Sequence, residues 1–382
     1  MILTSPSATN PTRPTVAAST NSQHSSSLSL RILPGSASVT RPSLPVAKPV
    51  TTPLVHSRRD DNLAGSHPNP RSRLEVVTGP DVLTGVLPVA PTVFTDDEEL
   101  DVAGLRRVCD YLIDSGVAGI CILANYSEQF SLTDDERDVV LETVLDHVAG
   151  RVPVCVTTSH YSARIAADRC AQAAERGADL VMLMPPFFGA TLRVGPGAVL
   201  DYFHRIADEV QIPIMIQDAP MSPTALPVEL IGDLATKIDT VRYAKIEVPQ
   251  AAAKIGALAE WSEALPGIFD GEEAVTLIPD LRAGAVGTMS SVLAAAELVS
   301  IMRRWTAGDS WGAEEEWERL LPLLHYENRQ CGLAAAKAVL AAGGVITSDR
   351  TRAPFQPLPA ATRDTLIDLA RRRDAFALRW AA

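Results

Sequence analysis

The chain has 382 residues, 46% of them hydrophobic, 21% charged and only 5% aromatic. A formal charge of −12 leaves no basic footprint for nucleic acid or an anionic membrane, and no run approaches the ~18 uninterrupted apolar residues of a membrane span. Five cysteines without a C-x-x-C pair argue against a disulfide framework and for a reducing, cytoplasmic setting.

Residues 1–83 are rich in Ser, Thr and Pro and show no sustained periodicity, so they cannot bury enough apolar area to offset chain entropy. They read as a disordered leader. Its eight Lys and Arg against four acids, with many Ser, are the composition of a targeting peptide, but prolines break any amphipathic helix, and a dispensable tail is the plainer reading. From Gly85 the pattern changes to short apolar runs alternating with amphipathic stretches, the signature of β/α units around a parallel sheet. The expected strands are Gly85–Phe94, Gly119–Ala124, Pro153–Thr158, Leu180–Pro186, Pro213–Asp218, Val241–Glu247, Gly267–Gly271 and Gly287–Ser291. Eight strands predict a closed α/β architecture, the TIM (β/α)8 barrel, over 84–309. Helices are expected at Val102–Gly116, Thr133–Gly150, Ser162–Gly177, Pro249–Trp261, Glu272–Ala283 and Leu293–Gly308, and Thr133 with Glu136 forms a capping box. Three further helical stretches, near Trp311–Arg329, Leu333–Gly344 and Ala361–Arg379, make a C-terminal helical appendage over 310–382.

A barrel of this kind carries its chemistry at the C-terminal ends of its strands. In the sixth strand, alternation puts Tyr243, Lys245 and Glu247 on one face. If that face is the lumen, desolvation is expected to lower the lysine's pKa until the free amine is a nucleophile, which is what a Schiff-base lysine needs. A buried Lys–Glu ion pair that merely holds the barrel fits the same residues. The other strand ends, among them Asn125 to Gln129, Ser159-His160-Tyr161, Gln217-Asp218 and Asp270-Gly271-Glu272-Glu273, complete a polar rim. Seven histidines without ligand-like spacing disfavour a metal, and no Gly-rich phosphate loop follows a strand, so no metal and no cofactor are expected.

The chain from Gly85 onward resembles the dihydrodipicolinate synthase / N-acetylneuraminate lyase superfamily, in its first strand Gly85 to Thr92, in Ile212-Pro213-Ile214-Met215, in Ala244-Lys245-Ile246-Glu247 and in Asp270-Gly271-Glu272-Glu273. The resemblance implies that Lys245 forms a Schiff base with a 2-oxo acid and that the protein is a homo-oligomer, commonly a tetramer. Three departures narrow it. The proton-relay Tyr usual at the end of strand five is replaced by Gln217, the usual Gly-Thr-Thr-Gly-Glu loop reads Ala124-Asn125-Tyr126-Ser127-Glu128, and Ser222 stands where the synthase proper has a carboxylate-binding Arg. These departures, with Gln217 to Pro220, Lys245 to Ala252, Phe269 to Ala274 and Tyr326 to Leu333, resemble the branch that dehydrates a five-carbon 2-oxo-3-deoxy sugar acid. On that resemblance Lys245 captures the C2 carbonyl and Glu247 is the base at C3 or the acid at the C4 hydroxyl. Tyr126 supplies part of the missing relay, Ser127 with backbone N–H groups meets the C1 carboxylate, and Gln217, His160 and Asp270 bind the remainder of the substrate. An aldolase releasing pyruvate, or a non-catalytic barrel that binds a 2-oxo acid, are the competing readings.

Overall fold

The computed structural model describes residues 82–382, all within one compact unit. The leader expected at 1–83 lies outside these residues but for its last two positions. Eight parallel strands follow in order: β1 (Gly85–Val86), β2 (Ile120–Ile122), β3 (Val154–Thr157), β4 (Leu180–Leu183), β5 (Ile214–Asp218), β6 (Val241–Ile246), β7 (Gly267–Asp270) and β8 (Gly287–Thr288). They pair in the sequence β1-β8-β7-β6-β5-β4-β3-β2. Closure comes from Val89, just beyond β1, which bridges in parallel to Cys121 of β2 and to Ser291 beyond β8. Across the same seam Ala90 N–H donates to Cys121 O at 2.8 Å and Cys121 N–H to Pro88 O at 2.9 Å. The ring is therefore complete, and every expected strand is found, though shorter than its apolar run.

The seam needs glycine. Gly85 and Gly287 are register partners, and a Cβ on Gly287 would lie 2.0 Å from the Gly85 carbonyl oxygen. Strands buried on both faces read as near-continuous apolar runs, because helices cover the outside while side chains fill the inside. The inside is a separate cluster of Leu87, Val89, Cys155, Met182, Met215, Tyr243 and Phe269 with their neighbours.

The surrounding helices are α1 (Val102–Asp114), α2 (Asp134–Val148), α3 (Ala163–Glu175), α4 (Pro196–Ala207), α5 (Val228–Lys237), α6 (Ala251–Leu258), α7 (Leu277–Ala283) and α8 (Ala295–Thr306). Thr133 caps α2 as expected, with its Oγ1 accepting from Glu136 N–H and Glu136 accepting from Thr133 N–H. Helices α4 and α5, and a small hairpin pairing Phe187–Phe188 with Leu192–Arg193, are additions to the sequence reading.

Beyond the barrel, α9 (Ser310–Tyr326) runs into a π-helical segment, Glu327–Cys331, followed by α10 (Ala334–Ala342) and α11 (Ala360–Arg371). This appendage grips the loop after β2. Lys337 of α10, fully buried, is paired with Glu128, also buried, and donates to Arg350 O at 2.9 Å. Glu128 takes a left-handed backbone (φ 56°) and accepts Arg352 N–H at 2.9 Å. Arg352 in turn donates to Ser131 O, Glu98 O and Glu136. No helix among the described residues is long and apolar enough to cross a membrane.

Removing one partner of an ion pair this deeply buried leaves a stranded charge, which costs about 3–5 kcal/mol. Lys337→Ala is therefore expected to shift the urea midpoint down by that equivalent. Equal midpoints for variant and wild type would show that the pair contributes nothing.

Candidate active site

Alternation along β6 turns Tyr243 and Lys245 into the lumen, and Glu247 follows one step past the strand end. The Lys245 side chain is 3% exposed, and its Nζ lies 3.6 Å from Glu247 Oε2. Gln217 at the end of β5 donates its Nε2 to that same oxygen at 2.9 Å, while its own Oε1 is buried and, among the described residues, has no hydrogen-bond partner. One carboxylate thus holds both the amine and the amide that stands in place of the family's tyrosine.

The expectation of a lysine pushed down by desolvation is corrected here. Burial does pull Lys245 down, but the neighbouring acidic groups, Glu247 at 3.6 Å foremost, outweigh it and leave the amine above its ordinary value. At rest it is an ammonium, so a proton has to leave it before it attacks a carbonyl.

The loop between β7 and α7 brings in the second carboxyl. Asp270 is fully buried, and its Oδ2 accepts Thr288 Oγ1 at 2.5 Å and Ala274 N–H at 3.1 Å while its Oδ1 accepts Glu272 N–H at 2.9 Å. These bonds draw the loop into a tight turn over β6. Gly271 lets it pass, since a Cβ there would come within 2.9 Å of Lys245 Cγ and of the Ile246 carbonyl oxygen. Beyond Glu272, the consecutive residues Glu273 and Ala274 are both left-handed, at φ 54° and 61°. Glu273 is 4% exposed, and among the described residues neither of its oxygens has a hydrogen-bond partner. Burial pushes its carboxyl well above the usual range, Lys245 opposes the shift, and Glu327, Glu247 and Asp270 add to it.

Glu327 opens the π-helical segment of the appendage and accepts a hydrogen bond from Ser291 Oγ beyond β8. Buried, it is pushed up to about 8, with Ser291 opposing the shift. Tyr126 sits across from these groups. Burial first, and then the neighbouring acidic groups, raise its phenol above the ordinary value, so the hydroxyl keeps its proton.

The structure therefore gathers Lys245, Glu247, Gln217 and Tyr126 at one end of the lumen. Of the other expected residues, Ser127 and Asp270 border this cluster with their side chains engaged, and His160 stands apart. The Ser127 hydroxyl is committed to backbone, donating to Ala90 O at 2.6 Å and accepting from Ala124 N–H at 3.1 Å, which ties the strand-two loop to β1. Asp270 lies beneath the loop with both oxygens engaged. His160 accepts from Ser162 N–H at 3.0 Å and faces the charges of Arg169, Asp134 and Arg137. It lines a cavity of about 360 Å³ with Phe130, Met184 and Phe188, and Lys245 is not part of that lining. Two residues of the lumen wall, Glu273 and Glu327, were not singled out from the sequence. The Glu272-Glu273 doublet after a strand was the available signal for the first, whereas nothing but the family-like block Tyr326 to Leu333 pointed at the second. No group of three or more His, Cys, Asp or Glu among the described residues is arranged to hold a metal.

An eight-stranded α/β barrel with an enclosed strand-six lysine defines a class of lumen-lysine enzymes, and the sequence comparisons place it. Residues 82–372 match the dihydrodipicolinate synthetase family, and the chain belongs to that family. It is 48% identical over 298 residues, 78% of this chain and 96% of the relative, to L-2-keto-3-deoxyarabonate dehydratase of Azospirillum brasilense. It is 29% identical over 290 residues, 74% of this chain and 93% of the relative, to 4-hydroxy-tetrahydrodipicolinate synthase of Methanopyrus kandleri. Among solved structures, a prophage protein of the dihydrodipicolinic acid synthase family from Escherichia coli K12, in complex with pyruvate, superposes with a TM-score of 0.70 at 25% identity, covering 77% of this chain and 99% of that one.

Glu327 offers a check on the electrostatics of this wall. An unfolded glutamate titrates near ~4.3, and the native one near about 8, so the folded protein holds a proton that the unfolded chain has released. Stability from this group is present below the lower value and is lost as pH rises through the upper one. Glu327→Gln mimics the protonated form. The variant is expected to melt above wild type at pH 9, with the difference falling away toward pH 5, and a pH-independent difference would refute the assignment.

Proposed function

We propose that this protein is a Schiff-base hydro-lyase that converts 2-dehydro-3-deoxy-L-arabinonate to 2-oxoglutarate semialdehyde in non-phosphorylated pentose breakdown. The observation that carries the reading is the shared Glu247 oxygen, bonded to Gln217 and 3.6 Å from the enclosed Lys245 amine. The similarity to the Azospirillum dehydratase over nearly its whole length supports the same substrate class.

The chemistry follows from the residues. Lys245 passes its extra proton to Glu247, its nearest base, and the amine adds to the C2 carbonyl. Glu247 gives that proton to the departing hydroxyl, so that loss of water leaves an iminium that draws electrons from C3 and a carboxylate again free to act as a base. Glu247 then takes a C3 proton, a step of general-base catalysis worth ~10²–10⁴-fold. The orphaned Gln217 Oε1 is an acceptor for a substrate hydroxyl, and backbone N–H groups of the strand-two loop, whose shape Ser127 maintains, meet the C1 carboxylate. Asp270 acts by holding the β7–α7 turn. His160, outside the Lys245 cluster, has a place only at the far hydroxyl of the substrate. No external cofactor enters the scheme, and we extend the reading to a cytoplasmic homo-oligomer, a tetramer by family resemblance.

Retro-aldol cleavage is the nearest competitor in such a barrel. It needs a base on the C4 hydroxyl proton, and the Gln217 amide cannot serve as one. Incubation of the five-carbon acid is expected to yield 2-oxoglutarate semialdehyde, whereas pyruvate with glycolaldehyde would overturn the dehydratase reading. Borohydride in the presence of pyruvate is expected to add mass to the peptide containing Lys245, and Lys245→Ala to abolish both adduct and turnover. An untouched wild-type peptide would favour a non-catalytic barrel that only binds a 2-oxo acid.

A further inference from the structure

We propose that Glu273 is the acid that protonates the departing C4 hydroxyl, and that the carboxylate left behind then removes the C5 proton needed to reach the aldehyde. The inference rests on the dehydratase reading and deepens it by giving the elimination its second acid–base group.

Four observations converge on this side chain. Glu273 is 4% exposed, yet among the described residues both of its oxygens lack hydrogen-bond partners. Buried polar groups are rarely left this way, and where they are, a ligand group is one of the few explanations. The side chain is delivered by two consecutive left-handed residues that are not glycine, and such strain collects at sites where function over-determines the backbone. The turn is tied on both sides by Asp270, through Glu272 N–H and Ala274 N–H, and Gly271 seats it against the stem of Lys245. Finally, Glu247 is already engaged with Lys245 and Gln217, while Glu273 is held protonated by burial and by the facing carboxyl of Glu327, so the two acids enter the reaction in opposite roles.

The proton count closes with these two groups. Glu247 takes the C3 proton, and the electron pair of that bond forms the C2–C3 enamine. The enamine pushes out the C4 oxygen, which takes the Glu273 proton and leaves as water, while a C3–C4 double bond conjugated to the iminium remains. That conjugation acidifies C5. The Glu273 carboxylate takes a C5 proton, which restores the acid and leaves a C4–C5 enol. Glu247 returns its proton to C3, the enol becomes the aldehyde, and hydrolysis frees Lys245. One water is lost overall, and both glutamates end as they began.

The test separates the steps with Glu273→Gln, which keeps the shape and removes the proton. Wild type and variant are compared in three assays: borohydride trapping with pyruvate, exchange of the pyruvate methyl protons in D2O, and dehydration of the five-carbon acid. Trapping and exchange need only Lys245 and Glu247, so both are expected to persist in the variant, whereas dehydration is expected to fall by ~10²–10⁴-fold. Glu273→Asp, an acid of shorter reach, is expected to recover part of that loss. Dehydration within a few-fold of wild type in Glu273→Gln would overturn the inference. Loss of trapping or exchange together with dehydration would overturn it too, by showing that the residue serves the imine and not the leaving group. If wild type itself traps pyruvate but does not dehydrate the five-carbon acid, the dehydratase reading fails, and the role assigned to Glu273 falls with it.

Discussion

An ammonium enclosed in an apolar lumen has to be compensated on the spot, and most of what distinguishes this barrel is arranged around that requirement. Lys245 is 3% exposed, so water cannot solvate its charge. Glu247 does so at 3.6 Å, and the Gln217 amide keeps Glu247 in place. The same contacts make the amine reluctant to give up its proton. A carbonyl substrate therefore meets a lysine that is ready only once its neighbour has accepted that proton, which couples nucleophile and base in one pair.

The walls of the site are built from parts far apart in sequence. The β7–α7 turn, pinned by Asp270, lays Gly271 on the lysine stem. The appended helices contribute Glu327 through a π-helical segment and, through Lys337 and Arg352, hold the loop that carries Tyr126. Insertions of π character recur at functional sites because they turn side chains away from the helical register. The C-terminal helices are thus a component of the site and not a decoration on the barrel.

Much of this was legible in the sequence. Apolar runs bounded by Gly and Pro located all eight strands, because strands covered on both faces leave that mark. Period-two alternation was enough to put Lys245 beside Glu247. The hairpin at Phe187–Phe188 was not legible, since strands of two residues carry no periodicity. The protonation of Lys245 was misjudged for a physical reason: desolvation can be guessed from one strand, but how strongly the Glu247 charge opposes it depends on a separation of 3.6 Å that only the fold supplies. Ser127 and Asp270 have the right chemistry at the right strand ends, and only the fold shows that their oxygens are taken up by backbone and by Thr288. The Glu128–Lys337 pair spans 209 residues, a separation at which no local pattern can signal a contact.

The paired left-handed conformations at Glu273 and Ala274 have a bearing on engineering. Each such non-glycine residue stores on the order of 1 kcal/mol or more. Ala274→Gly would release part of it at once. A search for heat-tolerant variants would accordingly be drawn to this position, and the enzymes it returned would be sturdier scaffolds with a slack catalytic turn, trading turnover for endurance.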